Sequence, residues 1–397
     1  MLRRQARNFD VQSEGSRIKC FRVFQLRVGV FYPTLNVYGG AEFVTSVIVN
    51  ALAEANYDVL LFTNETVDQN KARKYFGNRI HNSAKIIVKK STFQPRGLLD
   101  FYQTMVRTYA LKSKCRTWID VYSNCIFPWT NVCYVHFPFL NHFLFRENFP
   151  YLKDRHIIPV GTIPYVFFEK NLVDYDKKLI LANSHYTANE IERFSGRNAK
   201  VLYPPVPSAF YEDNEESLLR NPREDLVVTI SRFGYNKDLE KIPRIALLTD
   251  SHIRFAIVGR VHYQNALLSL QKTVRELGLS ERVKFYPDIS RQDMKAILKK
   301  AKIYLHAMVG EHFGISIVEA MAMGCIPLVH DSGGAKEFVP ECYRYKDIRD
   351  AAEKVEKNTR RWNTAEASRM IHIAYRFREG NFASQFLRVF EKYLEAG

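Results

Sequence analysis

The chain has no run of eighteen apolar residues, so no membrane-spanning helix is expected. Its first stretch, MLRRQARNFDVQSEGSR, lacks the apolar centre of a signal peptide and reads as a flexible lead-in. Cysteine is sparse: Cys20, Cys115, Cys125, Cys133, Cys325 and Cys342 are scattered, with no C-x-x-C spacing. That argues against zinc ligation and a disulfide framework, and for buried thiols in a reducing compartment. No D-x-D metal motif ends a strand. Asp174-Tyr-Asp176 has the spelling, but it lies in a polar connection without neighbouring Gly or His and reads as surface. Acidic residues are outnumbered, 42 against 58 basic, which leaves a net charge of +16. An anionic membrane surface, a polyanionic substrate or a nucleic acid would each suit that charge. No helix-turn-helix, RNA-binding or zinc-finger pattern accompanies it, so no nucleic-acid partner is expected.

What remains is globular composition, with 46% hydrophobic and 25% charged residues. The length of 397 residues suits two domains better than one core. The most informative stretch is Glu311 to Gly334, EHFGISIVEAMAMGCIPLVHDSGG. It places Glu311 and Glu319 eight positions apart around Phe313-Gly314-Ile315, then predicts a helix over Ser316 to Met323 and an apolar strand over Ile326 to Val329. Gly333-Gly334 close the loop that follows. In a parallel sheet such loops share one edge with helix N-termini, which attract anions. Backbone donors, hydroxyl-binding carboxylates and a glycine loop together suit a phosphorylated sugar. A plainer reading competes: Ser316 and Glu319 stand in S-x-x-E spacing, so Glu319 would merely cap its own helix. Glu311 has no capping role and needs another explanation.

The first half opens with a strand (Leu26 to Phe31), a turn at Gly39-Gly40-Ala41-Glu42, and a helix whose inner face carries Phe43, Val44, Val47, Ile48, Ala51, Leu52 and Ala55. A second strand, Val59 to Phe62, completes a βαβ unit. Leu98 to Arg116 is helix-spaced through Leu98, Phe101, Tyr102, Met105, Val106 and Tyr109, with Arg107, Lys112, Lys114 and Arg116 near its end. A core-facing stripe with cations at the helix C-terminus explains it, and a basic membrane-contact surface is the alternative. Cys133 to Pro138 is a strand ending in His136, and an aromatic, Pro- and Asn-broken loop runs on to Tyr151. That loop would pack between domains or bind a lipid tail. Lys200 to Val206 ends in Pro204-Pro205, a stiff hinge.

The second half repeats the pattern. A strand from Leu226 ends in SRFGYNKDLE, which sets Arg232 and Lys237 five apart before a helix. Phe255 to Gly259, Val283 to Tyr286 and Ile303 to His306 follow as strands, with Gly259 placed for backbone approach to a nucleotide. Phe382, Phe386, Val389, Phe390, Tyr393 and Leu394 mark a terminal amphipathic helix.

E-x7-E with F-G inside, EAMAMG, IPLV and a closing SGG resemble the nucleotide-sugar site of glycosyltransferase family 4, retaining enzymes of the GT-B fold. IPLVHDSGGAKEFV is most similar to the mannosyltransferases that extend dolichol-linked oligosaccharides on the cytosolic face of the endoplasmic reticulum. CYVHFP, the NS-x-x-T segment at Asn183 and the YPP at Tyr203 agree with it, so matching stretches run from about Val28 to Val339. The resemblance implies an α/β fold of two Rossmann-like domains facing across a cleft, with a final helix crossing back to the first. On this sequence the expected domains are 1–204, 205–375 and 376–397. It implies Arg232 and Lys237 on the donor diphosphate, Glu311 on the sugar, Glu319 on the ribose, and His136 near the reacting centre. Gly39, Gly40, Gly259, Phe313, Gly314 and Ile315 would complete the binding surface. No metal and no cofactor is implied beyond a GDP- or UDP-linked sugar donor; the acceptor would be a lipid-linked saccharide or lipid phosphate on the cytoplasmic face of a membrane. A soluble transferase of the sucrose or trehalose type, or a non-catalytic sugar-nucleotide-binding protein, are the alternatives.

Overall fold

A computed structural model describes residues 26–37, 39–76, 80–90, 92, 98–122, 126–138, 157–235 and 237–396. The lead-in, Cys20, Cys125 and the aromatic loop beyond Pro138 lie outside the described residues.

Strands β1 (Arg27–Phe31), β2 (Asp58–Thr63), β3 (Lys85–Val88), β4 (Thr117–Asp120), β5 (Val132–Val135), β6 (Leu179–Ala182) and β7 (Lys200–Val201) form one sheet, ordered β3-β2-β1-β4-β5-β6-β7. Its pairings are parallel throughout. The helices between them are α1 (Gly40–Glu54), α2 (Gln69–Phe76), α3 (Leu98–Ala110), α4 (Ile157–Leu172) and α5 (His185–Ser195). A second parallel sheet contains β8 (Glu224–Ile230), β9 (Arg254–Gly259), β10 (Val283–Pro287), β11 (Ala301–His306), β12 (Ile326–His330) and β13 (Arg344–Tyr345), ordered β10-β9-β8-β11-β12-β13. With it go α6 (Glu215–Arg220), α7 (Lys241–Leu247), α8 (Gln264–Glu276), α9 (Arg291–Lys300), α10 (Ile315–Ala322), α11 (Ile348–Arg361), α12 (Thr364–Ala374) and α13 (Glu379–Ala396). Counted from its own first strand, each sheet begins with the doubly wound order 3-2-1-4-5-6, so each has a switch point beside its first strand. Ligands of such sheets lie off the carboxyl ends at that point, which is where the loops described below converge.

The last helix returns to the first lobe. Phe382, Phe386 and Phe390 stack along one face of α13 and belong to the core of the first sheet. Burying them stabilises the return by roughly 5–9 kcal/mol, an upper figure because the unfolded chain is partly compact. This covering explains why α1 is buried on both sides. The predicted face is inside as far as Leu52, with Ala55 half-buried at the C-cap, but so are Thr45, Ser46 and Val49, which a one-sided helix would expose. Where the chain crosses between lobes it passes itself: the Val206 amide donates to the Phe377 carbonyl at 2.8 Å, just after Pro204-Pro205.

The helix expected over Leu98 to Arg116 is shorter, ending at Ala110, with Lys112 to Lys114 in a separate 3-10 turn and β4 beginning at Thr117. Only part of its stripe is core. Phe101 and Met105 are buried, whereas Val106 is 65% and Tyr109 52% exposed. Asp174 and Asp176 lie on the surface, paired to Lys177 and Arg197. Cys115, Cys133 and Cys325 are buried and their thiols are pushed up to about 11, chiefly by desolvation; Cys342 is exposed.

Candidate active site

The carboxyl ends of the two sheets face each other across a cleft of about 610 Å³. Loops after β1, β4, β5 and β6 line one side, and loops after β8, β9, β10 and β11 line the other. All eleven residues singled out in the sequence reach it: Gly39, Gly40, His136, Arg232, Lys237, Gly259, Glu311, Phe313, Gly314, Ile315 and Glu319. The lobes touch here, since Gly40 lies against the Ile315 side chain and Arg260 donates to the Val37 carbonyl at 3.1 Å.

Three helices aim their N-termini at the cleft. Gly39 is the N-cap of α1, and the Glu42 carboxylate turns back to accept its amide at 3.0 Å. Ser290 caps α9 by accepting from the Asp293 amide at 3.1 Å. At α10 the N-cap is Gly314, with φ of 93°. A left-handed residue there leaves no side chain to cap the first turn, so the helix amides face the cleft. It also removes the capping-box reading. Ser316 sits inside the helix rather than at its start, and its hydroxyl lies 2.8 Å from the Tyr304 hydroxyl. Glu319 is therefore not a cap. It is 8% exposed and lines the cleft.

Electrostatics separate the two carboxylates. Burial alone would raise the Glu311 carboxyl, but the Lys237 charge and the hydrogen bond from His306 outweigh it and hold the group well below the ordinary range. Its Oε2 lies 3.4 Å from Lys237 Nζ and 3.0 Å from His306 Nε2, and its Oε1 accepts the His312 amide at 3.2 Å. Glu319 goes the other way: desolvation raises it, and the Arg291 charge only partly offsets this. Arg232 is exposed at the cleft wall and forms no ion pair among the described residues.

Across the cleft His136 follows directly on β5. The residue is half-buried, but Nε2 is sealed from solvent without a hydrogen-bond partner. Desolvation, helped by nearby His312, depresses the imidazole to about 3, so it is neutral at ordinary pH. Phe137 beside it stacks on His312 with centroids 3.8 Å apart.

The glycines divide between the cleft and the packing behind it. Gly259 lines the cleft, but its missing side chain is explained by packing: a Cβ there would sit 1.7 Å from the Ser231 carbonyl oxygen. Gly333-Gly334 do not line the cleft. Their Cβ positions would fall 2.3 Å from the Glu311 oxygen and 2.0 Å from the His312 oxygen, so the loop presses on the backbone that carries Glu311. The same loop puts Glu337 across the lobe boundary, where its carboxylate accepts the His185 amide at 2.9 Å, the Tyr186 amide at 2.8 Å and the Tyr203 hydroxyl at 2.9 Å.

Residues 210–371 match the family model Glycosyl transferases group 1. That segment is a group 1 glycosyltransferase domain. The whole chain is similar to Anabaena HepE bound to UDP and glucose (TM-score 0.68, 16% identity, 93% of this chain and 100% of that one). It is also similar to sucrose-phosphate synthase of Thermosynechococcus elongatus (TM-score 0.70, 14% identity, 94% and 100%). The fold is GT-B. Among curated proteins, a Dictyostelium discoideum protein named GDP-Man:Man(3)GlcNAc(2)-PP-Dol alpha-1,2-mannosyltransferase is 25% identical over 297 residues, 65% of this chain and 58% of its own length. A Xenopus tropicalis protein of the same name is 25% identical over 383 residues, 83% and 77% of the two lengths. The chain spans 58% of the Dictyostelium protein but only 39% of its Candida albicans namesake.

The group 1 domain also contributes residues that sequence reasoning passed over. Arg291, at the start of α9, lines the cleft with a buried Nη1 that has no hydrogen-bond partner. His306 was visible only as the end of a strand. Arg260 and Glu337 act through partners 223 and 152 positions away, a separation no local spacing reveals, whereas His306 stands only 5 from Glu311.

Proposed function

We propose that the chain is a retaining mannosyltransferase that uses GDP-mannose and a lipid-linked saccharide acceptor. One observation carries the reading: two carboxylates shifted in opposite directions, Glu319 buried and Glu311 half-buried, meet two cations and three helix N-termini in a single cleft between the sheets. The curated relatives carry a GDP-mannose donor and a dolichol-linked acceptor in their names, and we extend both to this chain.

In the reaction the bond from the sugar C1 to the diphosphate oxygen breaks. The acceptor oxygen bonds to C1 on the same face, and its proton passes to the departing phosphate. Opposite charges develop side by side, so preorganised groups of both signs are needed. Arg232, Lys237 and the amides of Gly314 and Ile315 hold the diphosphate. Anionic Glu311 takes the sugar hydroxyls. Glu319 takes the two ribose hydroxyls, whose donated hydrogen bonds favour its ionised form. Neutral His136 contacts the sugar and the attacking hydroxyl. Gly39, Gly40, Gly259 and Phe313 shape the walls. The chain divides at 204 and 375 into an acceptor-side domain, a donor-side domain and a returning helix.

The same reading puts the protein against an anionic membrane surface. No helix among the described residues is long and apolar enough to cross a bilayer. Packed helices α3 and α4 instead expose Val106, Tyr109, Ile163 and Phe167, with Lys112, Lys114 and Arg116 beside α3. Vesicle binding should need anionic lipid and weaken with salt.

The test is a panel of GDP- and UDP-sugars scored by thermal stabilisation and by transfer to lipid-linked and soluble acceptors. GDP-mannose should raise the melting point and react. Glu311→Ala should lower kcat by roughly 100-fold or more. Unchanged transfer in that variant, or a preference for UDP-sugars and soluble acceptors, rejects the proposal.

A further inference from the structure

Beneath Glu311 lies a buried polar chain that the reaction above leaves without a task. His306, the last residue of β11, has a side chain 7% exposed, with Nε2 3.0 Å from Glu311 Oε2. An ionised carboxylate only accepts, so Nε2 carries the hydrogen. On the other side of the ring, Nδ1 lies 3.3 Å from the Tyr304 hydroxyl. That hydroxyl is fully buried, 2.8 Å from Ser316 Oγ and 3.3 Å from the Ile230 carbonyl. The backbone carbonyl of His306 accepts the Tyr345 hydroxyl at 2.6 Å. The ring is thus held by the Tyr304 hydroxyl, which β8 and α10 fix in turn, and its backbone is held by Tyr345 of β13.

Packing alone does not call for such a ring, because an aliphatic side chain would fill the end of a strand. What the ring adds is a donor that does not move. Lys237, the other partner of Oε2, is a long flexible side chain at 3.4 Å. In the proposed reaction it must also serve the diphosphate. Without His306, only the adjacent His312 amide on Oε1 would steady Glu311 when the lysine shifted toward phosphate.

We propose that His306 is the positioning residue for Glu311, holding its carboxylate aimed at the sugar while Lys237 follows the diphosphate. The inference rests on the proposed role of Glu311. It predicts that losing His306 damages the use of the sugar and spares recognition of the nucleotide.

The experiment compares His306→Leu, His306→Gln, Tyr304→Phe, Glu311→Gln and the His306→Leu/Glu311→Gln double variant. Each is assayed for transfer kinetics and for GDP affinity by calorimetry, GDP being the part of the donor without sugar. His306→Leu should lower kcat about 10- to 100-fold, the scale of a reacting group displaced by about 1 Å. GDP affinity should stay within about twofold of wild type. His306→Gln, whose amide can still donate, should recover most of the rate. The double variant should be no slower than Glu311→Gln alone, because both changes remove one unit.

A wild-type rate in His306→Leu overturns the inference, as do losses that multiply in the double variant or a GDP affinity that falls in step with kcat. If Glu311→Gln itself transfers normally, the reading of Glu311 fails first. If Glu311→Gln is inactive and His306→Leu is not, only this inference fails. Should His306→Leu lose its cooperative melt, Tyr304→Phe decides: it frees Nδ1, and a wild-type rate there overturns the inference.

Discussion

Replacing Glu337 by alanine should loosen one lobe from the other while leaving each folded. The carboxylate accepts three hydrogen bonds between 2.8 and 2.9 Å, two from the first-turn amides of α5 and one from Tyr203. Bonds to a charged acceptor contribute roughly 1.5–3 kcal/mol each, and a negative charge at a helix N-terminus adds about 0.3–1 kcal/mol. The full sum will not be lost. Glu337 is half-buried, and water can reach the freed amides. We expect about 3 kcal/mol of coupling to disappear. Hydrogen exchange reads this directly: at 1.4 kcal/mol per decade, the His185 and Tyr186 amides should exchange roughly 100-fold faster. The calorimetric melt should broaden or split as the lobes cease to unfold together. Glu337→Gln, which keeps one acceptor oxygen, should fall between. Unchanged exchange at those two amides, with an unchanged melt, would refute the reasoning.

Three further outcomes follow. Gly259→Ala should cost about 3 kcal/mol in denaturant unfolding, because the 1.7 Å approach is to a backbone carbonyl that no side-chain rotation relieves. Phe386→Ala should cost about 3–5 kcal/mol and free α13 to proteolysis, since the ring is fully buried between the lobe core and its neighbours Phe382 and Phe390. His136 titrates at about 3 folded and near the ordinary 6.5 unfolded, so between those values the unfolded chain holds a proton that the native chain does not. Stability should fall by about 1.4 kcal/mol per pH unit on acidification from 6.5, and His136→Phe should remove that part of the slope, as paired denaturant titrations would measure.

Much of this architecture is legible in the sequence itself. Alternating apolar strands and helix-spaced stripes specified parallel α/β units, and the E-x7-E block located the second-lobe half of the cleft, because those signals are local. Even so, local rules left real choices open. S-x-x-E spelled a capping box at Ser316 and Glu319, and only the left-handed backbone at Gly314 showed that the helix starts two residues too early for it. The stripe on α3 read as core or membrane surface, and the structure divides it between Phe101 inside and Val106 outside.

What the tertiary structure alone decided are the contacts that join residues far apart in the chain. Spacing placed Arg232, Lys237 and Glu311 on loops and Glu319 on the helix that follows, because a strand that ends at a sheet edge leaves its polar residues there. It was silent on Glu337 reaching α5, on α13 covering α1, and on Tyr304 and His306 bracing Glu311 from below. The first two depend on how the lobes dock, and the third on how the loop after β11 folds back over the end of its own strand. Docking is a balance of many small contacts summed over distant segments, and no window of sequence contains it.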